Sequence, residues 1–443
     1  MSRLTGSMQR VAVALFPIFA PYAAAGARWC REGMRLSPDA REKKLLARLK
    51  KLVKGFRTRG LCSGPGFDRY GEVNSYADLA KLPVLTKDGL IELYPTLKRI
   101  YAGRSGVIAR RTGGSTGEPA FHLRDRKLAS SSIGELVVML EVMGWRLGVE
   151  RLCLWGRSDE IGASRFPPTV KGVLSNWRAF AGYALDESLM RRFYEAVRGS
   201  PGCAVYGYTS LLEECARVML ENGRALKPGA VSVAWGGSEK TLPRQREMFR
   251  KAFGTPLKDF YGSREFSSIA AECERGNMHI NARYIVESVD PEGYTPLAPG
   301  ESGLLLITDL VNEVTPFIRY EIGDLGAVDW RDCACGRRGP CLVNLHGRTH
   351  ELIPLSSGKK VHTMFFNHIF NDYPAVQRTQ VVRTGIADFE IRYVGGALDE
   401  HSRSLILKEA REMLDNASVS LTRTDRLDRS RSGKLVQYLD NTR

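Results

Sequence analysis

The sequence lacks the features that define several protein classes. It has no low-complexity tract and no obvious internal repeat, and its composition, 43% hydrophobic and 26% charged, is typical of a globular protein. No stretch beyond residue 25 is long and apolar enough to cross a bilayer. The nine cysteines are odd in number and mostly isolated in apolar contexts, as at Cys153, Cys203 and Cys215. This pattern favours reduced, buried thiols in a cytoplasmic protein over a disulfide framework.

An apolar run near the N-terminus imitates a signal peptide. It extends from Val11 to Ala25 and follows Arg3 and Arg10. Pro17 and Pro21 interrupt the run, which is also too short to span a membrane. We therefore expect an N-terminal packing element or a membrane-surface element, so that the protein is cytoplasmic with peripheral membrane contact left open.

Acidic residues are scarce relative to basic ones. The chain has 65 Lys and Arg against 49 Asp and Glu, which gives a formal net charge of +16. Such a charge favours an anionic partner, for example a nucleotide, a coenzyme or an acidic membrane. The basic residues are spread along the chain, however, and fit a solvated face as well as a nucleic-acid stripe. We expect no nucleic-acid partner.

The hydrophobic pattern predicts an α/β protein. Helical spacing predicts helices over residues 38–55 and 126–143, and Thr86 is a candidate N-cap for a helix through Tyr94. Between residues 151 and 261 short apolar runs alternate with helices, one of them capped by Thr241. This alternation predicts layers of helices on a largely parallel sheet.

The pattern becomes β-rich near residue 283 and restarts as a small α+β unit beyond Gly347-Arg348. At 443 residues the chain is long enough for two or more domains. We predict an N-terminal domain over residues 1–347 and a C-terminal domain over residues 348–443.

The most informative segment is glycine-rich and spans Arg111 to Pro119. It contains three glycines and three hydroxyl residues within seven positions. Glycines allow a backbone to approach a bulky anion, and hydroxyl and N–H groups donate to phosphate oxygens. No Gly-Lys-Ser/Thr follows, so it is not a Walker loop. Taken alone, the segment is also compatible with an ordinary surface loop.

Three further motifs follow predicted strands, where open α/β sheets bind ligands. They are Trp235–Glu239, Phe260–Glu265 and Phe317–Asp324. A tyrosine at such an edge can stack on a purine, and a carboxylate can hold Mg²⁺ beside phosphates. Each motif alone is equally compatible with a structural role.

The order and spacing of these segments resemble the adenylate-forming superfamily of acyl-CoA synthetases and adenylation domains. The resemblance runs from about residue 80 to the C-terminus and points to the phenylacetate–CoA ligase family and its CapK-like relatives. Six motifs carry it: Thr112–Pro119, Gly236–Glu239, Tyr261–Glu265, Arg319–Asp324, Gly347-Arg348 and Ser432–Lys434.

The resemblance implies a fold and an activity. The fold is a large N-terminal α/β domain with layered sheets and a β-rich subdomain, followed by a small mobile α+β lid domain. The activity is that of an ATP-dependent ligase using Mg²⁺. It converts a carboxylic acid to an acyl-adenylate with release of pyrophosphate and then transfers the acyl group to CoA.

The resemblance also implies residue roles. Lys434, Glu265 and Thr116 would be catalytic, with Glu265 binding Mg²⁺, and Lys434 would reach the α-phosphate and the attacking carboxylate. ATP would contact Thr112, Gly113, Gly114, Ser115, Thr116, Gly117, Gly236, Gly237, Ser238, Glu239, Tyr261, Gly262, Ser263, Asp324 and Arg348. The aromatic residues Trp155, Tyr208, Trp235 and Phe266 are candidates for lining the acid pocket, but they do not identify the acid.

The acyl acceptor stays open. The family has an Asp after the Gly-Arg motif and an Arg-Gly-x-Asn-Val-Phe-Pro-like segment beyond it, whereas this chain has His350-Glu351 and Pro354–His362. One alternative to CoA is an amine or hydroxyl acceptor in polysaccharide or natural-product biosynthesis. Another alternative, from a different class, is a non-catalytic nucleotide-binding scaffold.

A separate group of residues has the chemistry of a metal site. Cys273, His279, Cys333 and Cys335 would suit tetrahedral Zn²⁺, although their spacing is not that of a standard zinc finger. Some relatives in the resembled family have a similar arrangement with structural zinc, and Cys341 could replace one ligand. The other interpretation, reduced thiols in a turn, is equally open.

Overall fold

The computed structural model describes residues 20–61, 73–112, 120–155, 176–181, 187–237, 239–348, 352–355, 357, 360–362, 366, 369–370, 373, 375–428 and 436–442. The chain forms two compact units. The first comprises Met1–Ile322 and Gly326–Leu345, and the second comprises Gly323–Leu325 and His346–Arg443. Within the described residues, no helix has the length and apolar character needed to cross a membrane.

Five of the helices of the described residues begin at a Ser, Thr or Asp whose side chain caps the first turn. They are α1 Pro21–Gly33, α2 Pro38–Thr58, α3 Tyr76–Ala80, α4 Lys87–Ile100, α5 Arg126–Val142, α6 Glu187–Arg198, α7 Thr209–Glu221, α8 Pro243–Phe253 and α9 Glu400–Met413.

The strands of the first unit are β1 Val107–Arg111, β2 Phe121–Asp125, β3 Arg151–Trp155, β4 Trp177–Ala181, β5 Cys203–Tyr208, β6 Val231–Gly237, β7 Leu257–Tyr261, β8 Ala270–Glu272, β9 Met278–Ile280, β10 Tyr284–Val289, β11 Gly303–Asp309, β12 Tyr320–Trp330 and β13 Pro340–Arg348. A short part of β12 and the end of β13 belong to the second unit. The remaining strands are β14 Leu352–Pro354, β15 Lys360–His362, β16 Val376–Arg383, β17 Asp388–Gly395, β18 Ser418–Arg423 and β19 Tyr438–Asp440.

One eleven-stranded sheet dominates the first unit, in the order β10-β11-β12-β13-β9-β8-β7-β6-β5-β3-β4. Its β7-β6-β5-β3-β4 portion is parallel, as the alternation of strands and helices predicts. The sheet becomes antiparallel at β7-β8 and stays so through the β8-β9 and β9-β13 pairs. The predicted α/β fold is therefore confirmed, with a mixed sheet.

Helix α4 confirms one predicted cap and corrects one predicted end. The Thr86 side chain accepts a 3.1 Å hydrogen bond from the N–H of Gly89, so Thr86 is the N-cap. The helix was expected to end at Tyr94, before Pro95, yet it continues to Ile100. Its apolar face explains this, since buried side chains on both sides of Pro95 anchor it in the core.

Helix α8 shows that the prediction of Thr241 as its N-cap is wrong. Pro243 occupies the first turn, so the N-cap is Leu242, whose N–H donates to Oε1 of Gln245 at 2.8 Å. The N–H of Thr241 instead donates to a carboxylate oxygen of Asp259 at 3.0 Å. The helix ends at Gly254 with φ +75°, as predicted.

A buried ion network ties α5 to strands β10 and β11. The guanidinium of Arg283 donates to Glu135 at 2.9 Å and to Asp309 at 2.8 Å, and all three side chains are almost fully buried. Removing one partner from such a network costs roughly 3–5 kcal/mol, because a buried charge is left unpaired. The network therefore holds the helix layer in register with the sheet.

The second unit has its own sheet and core. Its four-stranded sheet has the order β18-β17-β16-β19, and α9 packs against it. Helix α9 begins at Asp399, whose carboxylate accepts a hydrogen bond from the N–H of Ser402 at 2.7 Å. Ile391, Tyr393 and Ile406 are at most 1% exposed and form the centre of this core.

Candidate functional site

Four parallel strands end at one edge of the large sheet. Strands β3, β5, β6 and β7 finish at Trp155, Tyr208, Gly237 and Tyr261, respectively. Open α/β sheets bind ligands outside the carboxyl ends of such strands. This strand edge brings together the motifs that the sequence analysis singled out around residues 236 and 261.

Strands β1 and β2 precede and follow the glycine-rich segment in the sequence, and they pair antiparallel. Arg111 pairs with Phe121, and the N–H of Thr112 donates to the carbonyl of Ala120 at 2.9 Å. Thr112 is 4% exposed, and its hydroxyl has no hydrogen-bond partner in the part of the chain that the structure describes. Buried hydroxyls are normally bonded, so Thr112 is suited to a ligand at the base of this loop.

Several predicted site residues lie outside the described residues. They are Gly113, Gly114, Ser115, Thr116, Gly117, Ser238 and Lys434, together with the side chain of Arg348 at the end of β13. Their roles stay predictions.

The Gly236–Glu239 motif serves the fold as well as a predicted ligand. A Cβ at Gly236 would lie 2.2 Å from Oγ1 of Thr209, so only glycine fits there. At Gly237 the nearest atom would be 3.6 Å away, on the ring of Trp155. The carboxylate of Glu239 accepts hydrogen bonds from the N–H and the hydroxyl of Ser210, at 2.7 and 3.0 Å. Glu239 thus satisfies the first turn of α7.

The Tyr261–Glu265 motif forms the end of β7 and the turn after it. Tyr261 is 9% exposed and packs in the core cluster around Phe266 and Tyr320. A Cβ at Gly262 would lie 1.9 Å from the carbonyl of Ser267, which excludes other residues. The Ser263 hydroxyl accepts a hydrogen bond from the N–H of Phe266 at 3.2 Å.

Glu265 is the most unusual residue of this turn. It is only 8% exposed, and its carboxylate has neither a hydrogen bond nor an ion pair with any described residue. Carboxylate oxygens are among the ligands that Mg²⁺ prefers in proteins. Glu265 is therefore suited to a cation.

The two ends of the Arg319–Asp324 motif lie in different surroundings. The buried guanidinium of Arg319 donates to the carbonyls of Ala80 and Leu82 at 2.8 Å and pairs with Glu287. Arg319 therefore fixes the segment before α4. Asp324 lies on β12 and is 5% exposed.

The aromatic residues predicted to line an acid pocket separate into two groups. The rings of Trp155 and Tyr208 lie 4.3 Å apart at the strand edge. Trp235 stacks on Tyr206 at 4.9 Å and is 4% exposed. Phe266 is 1% exposed inside the core, so it has no surface for a substrate in this conformation.

A second site, the Cys–His cluster, consists of Cys273, His279, Cys333 and Cys335. Their donor atoms all lie within 4.8 Å of one another. The Sγ atoms of Cys273 and Cys333 are 3.7 Å apart, and Sγ of Cys335 is 3.3 Å from Nε2 of His279. Zn–S bonds of about 2.3 Å in a tetrahedron place two sulfurs ~3.8 Å apart. The donor set and its spacing fit zinc.

Two similar turns carry the thiols. In each, the N–H of a glycine three residues after the cysteine donates to that cysteine's carbonyl, at 3.1 Å for Gly276 and 3.0 Å for Gly336. Both glycines have φ near +80°, which favours glycine. Sequence reasoning missed these positions, although the repeated Cys-x-x-Gly spacing was a usable signal. It also missed Asn277, whose amide donates to Sγ of Cys333 at 3.2 Å.

The protonation preferences within the cluster differ from residue to residue. Burial raises the pKa of Cys273 to about 12, which favours its thiol form. Burial, assisted by Arg337, lowers the pKa of His279 to about 4, so its ring is neutral. Burial raises the pKa of Cys333, but hydrogen bonds from Cys335, Asn277 and Cys273 outweigh it and bring the pKa below its ordinary value.

Cys341, the alternative ligand, faces the other side of His279. Its Sγ lies 3.7 Å from Nδ1, whereas Cys335 lies against Nε2. The second ring nitrogen of a metal-ligating histidine commonly forms a hydrogen bond with a neighbouring group. The geometry therefore favours Cys341 as a neighbour of the donor set.

Comparisons with known proteins agree with this organisation. No protein-family model matches the chain. The chain is 25% identical over 457 residues to a phenylacetate–coenzyme A ligase of Thermus thermophilus, covering 93% of this chain and 97% of that protein. It is also 24% identical over 263 residues to protein CapK of Staphylococcus aureus, covering 57% and 55% of the two chains.

Solved structures share the fold. A 2-hydroxyisobutyryl-CoA ligase, solved in the postadenylation state, matches with a TM-score of 0.74 and 16% identity over 93% of this chain and 92% of that one. ATP-bound MatB from Rhodopseudomonas palustris matches with a TM-score of 0.55 and 15% identity, over 74% and 66% of the two chains. The predicted resemblance is confirmed: the chain is a homologue of the phenylacetate–coenzyme A ligases and has the fold of the adenylate-forming ligases.

Proposed function

We propose that the protein is an ATP-dependent ligase that activates a carboxylic acid as an acyl-adenylate and then transfers the acyl group to coenzyme A. The Glu265 carboxylate, for which no ion pair with another described residue is seen, carries the proposal. It lies four residues beyond Tyr261 at the strand edge. It would hold a divalent cation that is bound together with the phosphates of ATP.

In the first step, an oxygen of the substrate carboxylate attacks the α-phosphorus of ATP. The bond from that phosphorus to the pyrophosphate oxygen breaks, which gives an acyl-adenylate and pyrophosphate. Such a step needs charge neutralisation and in-line positioning rather than an acid–base pair. Mg²⁺, when bound, neutralises phosphate charge. Lys434 would hold the α-phosphate and the attacking carboxylate, and Ser115, Thr116 and Gly117 would contact the β- and γ-phosphates. Thr112 would bind ATP at the start of the same segment.

The nucleoside would lie along the strand edge. Tyr261 would pack on adenine beside Gly236 and Gly237, and Asp324 and Arg348 would hold the ribose. The lid would be residues 348–443, after an adenylation domain of residues 1–347. The capping bonds of Glu239 support an indirect role for this residue, in shaping the adenine-side loop.

In the second step, the sulfur of CoA attacks the acyl carbonyl carbon, the bond to the AMP oxygen breaks, and a thioester and AMP form. The solved 2-hydroxyisobutyryl-CoA ligase with 2-HIB-AMP and CoA supports this order of events for the fold. The divergent segment around His350 keeps an amine or hydroxyl acceptor as the second candidate.

We further propose structural zinc in the Cys–His cluster, held by Cys273, His279, Cys333 and Cys335. Zinc would join the turn after β8, which carries Cys273, to the loop before β13, which carries Cys333 and Cys335. The neighbouring strands β9 and β13 pair at His279 and Cys341. Contact with a membrane surface stays a prediction. The exposed row of Lys50, Lys51 and Lys54 on α2 is its main support.

The proposal is tested by incubating the protein with Mg-ATP and a panel of aryl, fatty and amino acids. We expect pyrophosphate release with at least one acid and, with that acid, a CoA thioester. Pyrophosphate release without a thioester would favour the amine or hydroxyl acceptor. No release with any acid would favour a non-catalytic nucleotide-binding scaffold.

A further inference from the structure

A buried glutamine joins the two ends of the segment that contains Lys434. Gln380 lies on β16 and is 1% exposed. Its Nε2 donates to the carbonyl of Val436 at 2.8 Å and to the carbonyl of Asp428 at 3.3 Å, and its Oε1 accepts from the N–H of Asp428 at 3.4 Å. The residues between Asp428 and Val436 are 429–435.

Other contacts hold the same two ends but do not replace the glutamine. The N–H of Val436 donates to the carbonyl of Asp428 at 3.2 Å, which closes the base of the segment. The guanidinium of Arg392, opposite Gln380 on β17, pairs with the Asp428 carboxylate at 3.3 Å, but that carboxylate is 60% exposed. Exposed pairs contribute little. The buried amide is therefore the main side-chain brace.

Gln380 is a polar residue at a buried position of β16. A buried strand position normally favours an apolar residue, and a buried amide is unfavourable unless it is hydrogen-bonded. Here both amide hydrogens and the amide oxygen are engaged, all with the backbone at Asp428 and Val436. These bonds are what the polar side chain supplies.

We propose that Gln380 is a positioning residue for adenylate formation. By fixing the separation of Asp428 and Val436, it fixes the ends of the chain that presents Lys434. This role rests on the proposed function. A displacement of about 1 Å in a reacting group can lower a rate by ~10²-fold, so loss of the brace would reduce the rate of the first step.

The test uses Gln380→Met, which keeps the side-chain length and removes the amide. The matched control is Thr379→Ser, which keeps the hydroxyl at the preceding, buried position of the same strand. With the acid that gives the most pyrophosphate release, we expect Gln380→Met to lower kcat of ATP–pyrophosphate exchange by about 10- to 100-fold. The KM for ATP should change by less than about threefold, because no described contact of Gln380 reaches the nucleotide motifs.

Hydrogen exchange measured by mass spectrometry gives a readout that does not depend on the chemistry. Peptides covering residues 424–437 should exchange faster in Gln380→Met than in the wild type or the control. Unchanged exchange there would overturn the inference, whatever the activity. If Gln380→Met fails to fold, Gln380→Glu replaces it, since it keeps the length and the acceptor for Asp428 N–H while losing the two donor bonds when ionised.

A double mutant separates this inference from the proposed role of Lys434. If Gln380 acts through Lys434, then Gln380→Met should lower the exchange rate of Lys434→Ala by less than about threefold. A full additional 10- to 100-fold loss would contradict positioning. An unchanged rate in Lys434→Ala alone would reject the catalytic assignment of Lys434, and the hydrogen-exchange result would still decide whether Gln380 holds the segment.

Discussion

The Cys–His cluster and the strand edge differ in how complete the protein makes them. The cluster brings four donor atoms within 4.8 Å through two glycine turns and one strand pair. The proposed nucleotide site presents polar groups for which no partner is seen among the described residues, the Glu265 carboxylate after β7 and the Thr112 hydroxyl after β1. A nearly complete donor set indicates a structural ligand, whereas unmatched polar groups indicate a ligand that enters and leaves. Substitutions should therefore affect stability at the first site and turnover at the second.

The largest effect is expected from Lys434→Ala on turnover. Removing a cation that stabilises charge in the transition state should lower kcat of ATP–pyrophosphate exchange by about 10³-fold or more. The melting temperature and the affinity for ATP should change little. Arg429→Ala, a second loss of positive charge five residues away, is the control. Equal rates in the two variants would show that Lys434 has no special role.

Glu265→Gln should affect turnover strongly and stability little. Without its carboxylate, Mg²⁺ binding at the strand edge weakens, and pyrophosphate release should fall by about 10²- to 10³-fold. Without Mg²⁺, the melting temperature should stay about the same, because no ion pair of the Glu265 carboxylate with a described residue is lost. Titration of Mg²⁺ in the activity assay measures the first effect.

The control for this change is the exposed Glu292, as Glu292→Gln. A clear drop in the melting temperature of metal-free Glu265→Gln would contradict the comparison, since it would give Glu265 a structural role like that of the cluster.

Cys273→Ser should affect stability more than turnover. We expect about one zinc per wild-type chain and a large loss of zinc in the variant. At a free zinc concentration 100 times the Kd, binding contributes about 3 kcal/mol to stability, so the melting temperature should fall by several degrees. Elemental analysis and thermal unfolding measure these effects.

Cys215→Ser is the control, since Cys215 is also a buried free thiol but lies in the core cluster of α7. A wild-type protein that is fully folded and free of metal would retire the zinc proposal. The interpretation as reduced thiols in a turn would then stand.

The sequence predicted the parts of the molecule whose information is local. The cap at Thr86, the end of α8 at Gly254 and the parallel strands after residue 151 follow from turn chemistry and hydrophobic period. Thr241 was wrongly predicted as an N-cap because two residues beyond it make Leu242 the N-cap. Pro243 occupies the first turn, and the side chain of Gln245 accepts a hydrogen bond from the N–H of Leu242. The tertiary pairings of Gln380 with Asp428, and of Arg319 with the segment before α4, leave no periodic signal. Such side chains could be found only from the structure.

The smallest effect is expected at His122, on the hairpin that carries the glycine-rich segment. Its ring is fully buried, packs edge-on against Phe317, and has no hydrogen-bond partner among the described residues. Burial, together with Arg124 and Arg110, lowers its pKa to about 4. Because the unfolded histidine titrates near 6.5, the unfolded chain binds more protons between pH 6.5 and 4, and stability is lost as the pH falls through that window.

The loss from this one group between pH 7 and pH 5 should be about 2 kcal/mol. His122→Leu removes the titration and fills the apolar site, so its urea unfolding midpoint should fall less from pH 7 to pH 5 than that of the wild type. Its exchange rate at pH 7 should stay within about threefold, since the neutral ring contributes packing and no charge. A large loss of turnover in His122→Leu would mean that the hairpin interior, like Glu265, belongs to the nucleotide site. Substitutions in the core of the hairpin would then affect turnover as well as stability.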